Sequence, residues 1–173
     1  MKRELLDTDR LMTLSRLFRY PERRPEDADL RLVAADGRTA PGGLGPEDLE
    51  SLQAAYVRLF INALPEVPCP PYGSFYLEGA LMGETTVRLG RLYAQYGFQA
   101  EELADHIAVE LEFLALLTAL DSESAVQQDY DFLLDHLRQW TPAFFKQVEE
   151  NDALGFYRAV AAQARNALLI SSI

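Results

Sequence analysis

Apolar residues recur every three or four positions along most of this chain, and alternating runs typical of β-strands are nearly absent. The spacing predicts one helix that Thr8-Asp9 caps and Tyr20-Pro21 ends, and another that Pro46 opens over Glu47–Phe60. A further helix is predicted to start near Gly79 or Glu84 and to stop at Gly97, and the next covers Glu101–Leu120. The last three are predicted from Ser122 or Ser124 toward Trp140, from Thr141-Pro142 through Val148, and, after Asp152, over Leu154–Leu169. We therefore predict an all-α fold, a single-domain bundle of about seven to nine helices that takes up residues 1–173.

Two stretches interrupt the helical pattern. Residues 21–45 are rich in Pro, Gly, Arg and Asp and predict a long surface connection, with a short helix around Asp29–Ala34. Residues 62–76 contain four prolines and exclude a regular helix. They include Pro70-Pro71-Tyr72-Gly73-Ser74-Phe75-Tyr76, which holds aromatic rings on a stiff backbone. This stretch is either a packed loop that plugs one end of the bundle or a rigid ledge that grips an extended peptide.

The charge is unevenly distributed along the chain. Residues 1–40 hold nine of the 16 Lys and Arg and eight of the 27 acids, whereas ten acids and no Lys or Arg lie between Arg91 and Arg138. Such a field repels phosphate backbones and anionic lipid and attracts cationic partners, so nucleic-acid binding is disfavoured. A solvated acidic face that aids solubility explains the same pattern.

Composition narrows the classes of function. No apolar run is long enough to span a bilayer and no signal-peptide pattern follows Met1, so we expect a cytoplasmic protein without stable membrane insertion. The lone Cys69 suits a reducing compartment and, among prolines, does not look like an activated thiol. No Gly-rich phosphate loop or Gly-x-Ser-x-Gly elbow occurs. We therefore predict neither an enzyme nor a bound cofactor.

One predicted helix carries an unusual polar pair. Over Glu101–Leu120, His106 and Glu110 fall four residues apart on an apolar stripe, which predicts a hydrogen-bonded pair along the helix. The pair is a satisfied core interaction, half of a metal site, or part of a site for a positively charged peptide. Two histidines and one cysteine are too few for a zinc site, so we expect no metal. Asp105 is expected to cap this helix or to lie in its first turn. Together with Ala108, Glu112 and Ala115 it belongs to the face of the helix that we expect to contact water. His136 is expected on the surface of another helix.

Several segments, taken in order, resemble the TorD/DmsD/NarJ family of cytoplasmic chaperones for molybdenum-containing oxidoreductases. The resemblance covers nearly the whole chain and rests on Phe18-Arg19-Tyr20-Pro21, Tyr56-Val57-Arg58-Leu59-Phe60, the proline-rich stretch, Asp105-His106 with Glu110-Leu111 and Phe113, His136-Leu137, Trp140 and Phe156-Tyr157. Many relatives have proline where this chain has Ala104. The resemblance implies a TorD-like all-α chaperone without catalytic activity.

The resemblance also implies a partner and a site. The partner is the catalytic subunit of a molybdopterin oxidoreductase, whose N-terminal leader, often a twin-arginine signal peptide, the chaperone binds and shields until cofactor insertion and assembly are complete. The residues that then line or support the peptide groove are Tyr56, Leu59, Phe60, Pro71, Tyr72, Ser74, Tyr76, Asp105 and His106, and Glu110 joins them by its place on the helix stripe.

Two other functions remain open from the sequence. One is a small helical protein that binds or hydrolyses nucleotide, and the other is a structural subunit that stays with the oxidoreductase complex. The chain is expected to be a monomer or, through the long 21–45 connection, a helix-exchanged dimer.

Overall fold

The structure, a computed structural model, describes residues 6–34, 48–120 and 124–169. No strand occurs in these ranges apart from one isolated bridge between Tyr72 and His106. The eight α-helices of the described residues are α1 Thr8–Leu17, α2 Asp27–Ala34, α3 Leu49–Tyr56, α4 Gly73–Glu78, α5 Glu84–Gln95, α6 Ile107–Ala119, α7 Ser124–Asn151 and α8 Phe156–Leu169. The predicted all-α fold and the predicted number of helices are confirmed.

Carboxylates cap the N-terminal ends of α1 and α3. Asp7 caps α1 by accepting a hydrogen bond from the backbone N–H of Arg10 at 3.0 Å. Asp48 caps α3 in the same way, with the backbone N–H of Ser51 at 2.7 Å. Pro46, which the sequence places at the start of that helix, lies outside the described residues. The short helix expected in the 21–45 connection is confirmed as α2.

The proline-rich stretch is helical at its end, which the sequence did not predict. α3 continues into a single π-helical turn over Val57–Ile61, and the chain stays irregular until α4 begins at Gly73. The Glu78 carboxylate then caps α5 by accepting hydrogen bonds at 2.8 Å from the backbone N–H groups of Glu84 and Thr85. A side chain at the end of α4 thus fixes the direction in which α5 leaves.

The predicted helix over Glu101–Leu120 is shorter than expected, because α6 covers only Ile107–Ala119. Residues 101–106 form a turn that ends at His106, which is the N-cap of the helix. Asp105 therefore lies before α6, and the expectation that it caps this helix or lies in its first turn is wrong. α6 begins directly after His106, whose Nδ1 accepts the backbone N–H of Ala108 at 3.1 Å and so satisfies one of the free N–H groups of the first turn.

α6 is buried on nearly every side, although the sequence predicts a face in contact with water. Ala108 and Ala115 were assigned to that face, and both are fully enclosed, while Glu112 remains partly exposed. α1 packs across these residues, and the Ser15 hydroxyl donates a hydrogen bond to the Ala108 carbonyl at 2.6 Å. Small side chains permit this close approach of two helices, and α6 thereby becomes the central element of the bundle.

A single helix replaces the two that the sequence predicts on either side of Thr141-Pro142. α7 is continuous over Ser124–Asn151 with Pro142 inside it. Pro142 is exposed, so the carbonyl that loses its helical partner can be hydrated, whereas Trp140 and Phe144 on the opposite side are fully buried. Packing of the buried face therefore keeps the helix intact across the proline.

A cluster of aromatic rings fills the space between α1, α3, α7 and α8. Phe18 lies 5.7 Å from Phe144 between ring centroids, and Phe60 lies 5.2 Å from Tyr157. Tilted and edge-to-face pairs of this kind add to the free energy of burying the rings. None of the helices in the described ranges combines the length and the apolarity that crossing a membrane demands.

We expect Asp152→Ala to lower the free energy of unfolding by about 2 kcal/mol, because Asp152 is fully buried and its carboxylate accepts the backbone N–H groups of Leu154 and Arg158 at 3.0 and 2.9 Å. Urea unfolding followed by circular dichroism at 222 nm measures the change. Asp48→Ala removes a solvent-exposed cap at α3 and serves as the matched control, with a smaller loss expected. Equal losses in the two variants would show that burial of the Asp152 cap does not matter.

Candidate functional site

An open cleft of about 610 Å³ lies beside the central helix. Its walls are the end of α1 with residues 19–25, the 101–106 turn, parts of α2 and α3, and the start of α8. Pockets of this volume accept small molecules or a few residues of a peptide. Tyr56 and His106, two of the residues predicted from the sequence, line it.

Aromatic rings line one side of the cleft. The Tyr56 ring is packed edge-on against Tyr20, Phe60 and Tyr157, with centroid distances of 5.6, 4.9 and 5.8 Å. The Tyr56 hydroxyl donates to the carbonyl of Phe18 at 3.0 Å, so the ring cannot rotate away. Tyr20 is 45% exposed and presents its ring to solvent at the cleft. This side of the cleft is therefore apolar, and the exposed part of Tyr20 is where it contacts water.

His106 joins the cleft to the proline-rich stretch. Its Nδ1 accepts a hydrogen bond from the backbone N–H of Ala108 at 3.1 Å, which leaves the proton of the neutral ring on Nε2. Its ring meets Tyr72 edge-on at 5.2 Å. Burial and the nearby charge of Arg19 lower the pKa of His106 to about 4, against an opposing effect of Asp105. His106 is therefore neutral near pH 7.

Asp105 connects the two predicted motifs from behind the cleft. Its carboxylate accepts the backbone N–H of Ser74 at 2.8 Å, and its backbone carbonyl accepts the N–H of Gly73 at 2.9 Å. The carbonyl of Pro71 in turn accepts the N–H of Ile107 at 2.9 Å. Asp105 thus caps α4 rather than α6, and its side chain is fully buried instead of facing water.

Glu110 pairs with a residue that the sequence did not assign to it. Its carboxylate is fully buried and lies 3.3 Å from Nε2 of His136 on α7, while His106 has turned away to cap its own helix. The predicted His106–Glu110 pair and the predicted surface position of His136 are both wrong. Because His136 shares a face of α7 with the fully buried Leu133 and Trp140, the helical spacing contained a signal for its burial.

The carboxylate of Glu110 lies directly under the start of α4. A Cβ atom added at Gly73 would come within 3.1 Å of Nε1 of Trp140 and 3.4 Å of Oε1 of Glu110. Glycine at this position therefore permits α4 to pack on the buried pair. Burial raises the pKa of Glu110 to about 7, although His136 acts in the opposite direction. Burial alone would lower the pKa of His136, but its hydrogen bond to Glu110 and the charge of that group raise it.

The remaining predicted residues divide between support and surface. Four of them are buried behind the cleft, and they are Leu59, Phe60, Pro71 and Ser74. Tyr72 and Tyr76 are half-buried, and Tyr76 stacks on Trp140 with ring centroids 5.6 Å apart. Most of the predicted set therefore forms a largely buried wall behind the cleft, whereas Tyr56 and His106 are the two members that line the cleft itself.

Charged residues at the mouth of the cleft were not among the predicted site residues. Arg19, Glu101 and Glu102 line it. Arg19 donates a short hydrogen bond to the Glu112 carboxylate, and its second guanidinium nitrogen lies 3.7 Å from the carboxylate of Glu101. The sequence signal for these residues was present, because Arg19 lies in one of the family-like segments and Glu101 begins the long acidic run.

The described residues contain no group of three or more His, Cys, Asp and Glu side chains that could hold a metal ion. Burial raises the pKa of the Cys69 thiol to about 12, so this residue is not a thiolate near neutral pH. The cleft offers a ligand an aromatic surface next to the exposed carboxylates of Glu101 and Glu102, and four arginines, Arg16, Arg19, Arg23 and Arg24, also lie in its lining.

Residues 26–146 match the family model described as nitrate reductase delta subunit. The chaperone protein TorD of Vibrio cholerae is 35% identical over 107 residues, which cover 54% of this chain and 49% of the relative. TorD of Vibrio parahaemolyticus is 31% identical over 124 residues, which cover 64% and 57%. The chain thus spans about half the length of the curated relatives it matches.

A solved structure gives a more complete match. The crystal structure from Archaeoglobus fulgidus, described as that of a redox enzyme maturation protein, is 33% identical with a TM-score of 0.62 and covers 91% of each chain. These comparisons confirm the resemblance found in the motifs. The relatives are named as chaperones and a maturation protein rather than as enzymes, in agreement with the expectation of no catalytic activity.

We expect Glu110→Gln to change how stability depends on pH. The pKa of Glu110 is raised from 4.5 to about 7, so its contribution to stability is fully present below pH 4.5 and is lost as the pH rises through 7. Between pH 4.5 and 8, the free energy of unfolding of the unmodified protein should therefore fall by about 2–3 kcal/mol relative to Glu110→Gln. Urea unfolding at several pH values measures this difference, and a constant difference would contradict the assignment.

Proposed function

The chain belongs to the nitrate reductase delta subunit family, and from that premise we propose that it is a chaperone for the maturation of a redox enzyme. It binds the N-terminal leader of the catalytic subunit of a molybdopterin oxidoreductase in the cytoplasm and shields it until assembly is complete. The proposal is supported by relatives named as TorD chaperones and by the likeness to a redox enzyme maturation protein.

The observation that carries the proposal is the composition of the cleft. Aromatic rings of Tyr20 and Tyr56 lie in the same cleft as the carboxylates of Glu101 and Glu102. A leader that combines arginines with an apolar run needs both kinds of surface. Guanidinium groups form charge-assisted hydrogen bonds with carboxylates and stack on aromatic faces, and the apolar run is buried against the rings.

The buried wall explains how such a site keeps its shape without a ligand. Asp105 fixes the start of α4 against the 101–106 turn, and His106 is held by its cap and by Tyr72. A preformed cleft loses little conformational entropy when a flexible leader binds, so a small contact area is sufficient. Affinity near 1 μM, about −8 kcal/mol, suits a client that must later be released.

Binding of a synthetic leader tests the function. The peptide is a synthetic N-terminal leader that carries an Arg-Arg pair followed by an apolar run, and isothermal titration calorimetry measures its affinity. We expect micromolar binding that weakens when the peptide's Arg-Arg pair is replaced by Gln-Gln. Absence of binding, or binding that ignores this replacement, would contradict the proposed leader site.

We expect the double variant Glu101→Gln/Glu102→Gln to weaken leader binding about tenfold at low salt, because two carboxylates at the mouth of the cleft lose their charge. Asp135→Asn/Glu150→Gln makes the same change in net charge at two exposed positions of α7, away from the cleft. The control should bind nearly as well as the unmodified protein. Equal weakening in both double variants would mean that the acidic net charge, rather than this cleft, attracts the leader.

A further inference from the structure

One cation already lies against the acidic side of the cleft. Arg19 follows α1 and reaches across to two other elements, with a short hydrogen bond to Glu112 on α6 and a 3.7 Å contact with Glu101 in the 101–106 turn. The Arg19 side chain is 28% exposed and that of Glu101 is 92% exposed. The first contact is therefore the tighter and better shielded one, and the second is open to exchange.

The other arginines that line the cleft do not reach these carboxylates. Arg16 pairs with Asp29, which is buried and also accepts the backbone N–H of Glu26, so this pair holds α2 in place. Arg23 pairs with Glu26 at 3.2 Å. Arg24 lines the cleft but makes no ion pair with any residue in the described ranges. Within this group, Arg19 alone is directed at the acids of α6 and the 101–106 turn.

We propose that Arg19 is a built-in competitor for the arginine of the bound leader. In the free protein it occupies part of the carboxylate surface that the incoming guanidinium uses in the complex. This inference rests on the function proposed above. Arg19 then determines how tightly and how selectively the cleft binds the leader.

The geometry permits the exchange at low cost. When a leader arginine binds Glu101, Arg19 keeps its hydrogen bond to Glu112, so no buried charge is left without a partner. The two guanidinium groups nevertheless stand close together and repel each other, which weakens the complex and speeds release. A ligand with a single weak cation gains too little to displace Arg19, whereas an arginine pair with an adjacent apolar run gains enough.

Arg19→Gln tests the proposal. Because Arg19 and Glu112 are 28% and 32% exposed, Glu112 stays within reach of water when Arg19 is replaced, so the variant should still fold. We expect it to bind the Arg-Arg leader about threefold to fivefold more tightly. Arg24→Gln makes the same change in net charge in the same cleft and should gain less than twofold. Arg19→Lys keeps the charge and should remain close to the unmodified protein. Unchanged or weaker binding by Arg19→Gln would overturn the proposal and make Arg19 a support of the site.

A double-mutant cycle identifies the carboxylate that is contested. In the Glu101→Gln background, replacing Arg19 by Gln should give a smaller gain than in the unmodified protein, because part of the competition has already been removed. Equal gains in both backgrounds would show that Arg19 acts only through the general field of the cleft, which contradicts a competition for Glu101.

A second probe separates this inference from the proposed function. N-acetyl-Arg-Arg-amide carries the guanidinium pair without the rest of the leader, and its binding is followed by NMR chemical shifts of the protein. If the full leader fails to bind but the dipeptide binds Arg19→Gln more tightly than the unmodified protein, the leader function fails and the competition stands. If the leader binds and neither ligand prefers Arg19→Gln, the function stands and the competition fails.

Discussion

The rest of the cleft depends on the hydrogen bond between the buried carboxylate of Asp105 and the backbone N–H of Ser74. This bond caps a helix with a side chain that is distant in sequence, so the start of α4 cannot form without the turn that precedes α6. The backbone bonds of Gly73 and Pro71 on either side close the same junction. A charge is tolerated here because the free N–H groups at the start of a helix stabilise an anion.

The residues near this junction fall into two groups, those that support the helices and those that a ligand can contact. The residues of the family-like motifs are mostly buried and fix the positions of α4, α6 and α7 relative to one another. Glu110 on α6, for example, contacts His136 on α7. The residues that a ligand meets first, such as Tyr20 and Glu101, lie on the connections that these helices position. The enclosed residues thus hold the helices in place, while residues on the connections form the surface that a ligand meets.

Apolar spacing, proline and glycine predicted most of the helices, because these are strong local signals, whereas the meeting of the two motifs was expected only from the family resemblance. Prediction from the sequence failed where tertiary packing decides. Pro142 does not end α7, since the proline lies on the exposed side of the helix while Trp140 and Phe144 keep the buried side packed. Glu110 does not pair with His106, since Nδ1 of His106 at the N-cap accepts a hydrogen bond from the backbone N–H of Ala108. Neither outcome follows from apolar spacing alone, because the first depends on packing against other helices and the second on where the helix begins.

Two buried groups beside the junction, His106 and Glu110, have pKa values shifted in opposite directions, and both shifts affect how stability depends on pH. Because the pKa of His106 is lowered to about 4, its contribution to stability is lost as the pH falls from 6.5 to 4. Because the pKa of Glu110 is raised to about 7, its contribution is lost as the pH rises from 4.5 to 7. Between pH 4.5 and 6.5 the two slopes oppose each other, and in the folded protein Glu110 stays mostly protonated and His106 mostly neutral over this range. The charged side chains that face a ligand, Arg19, Glu101 and Glu102, lie at the mouth of the cleft, in front of these buried groups.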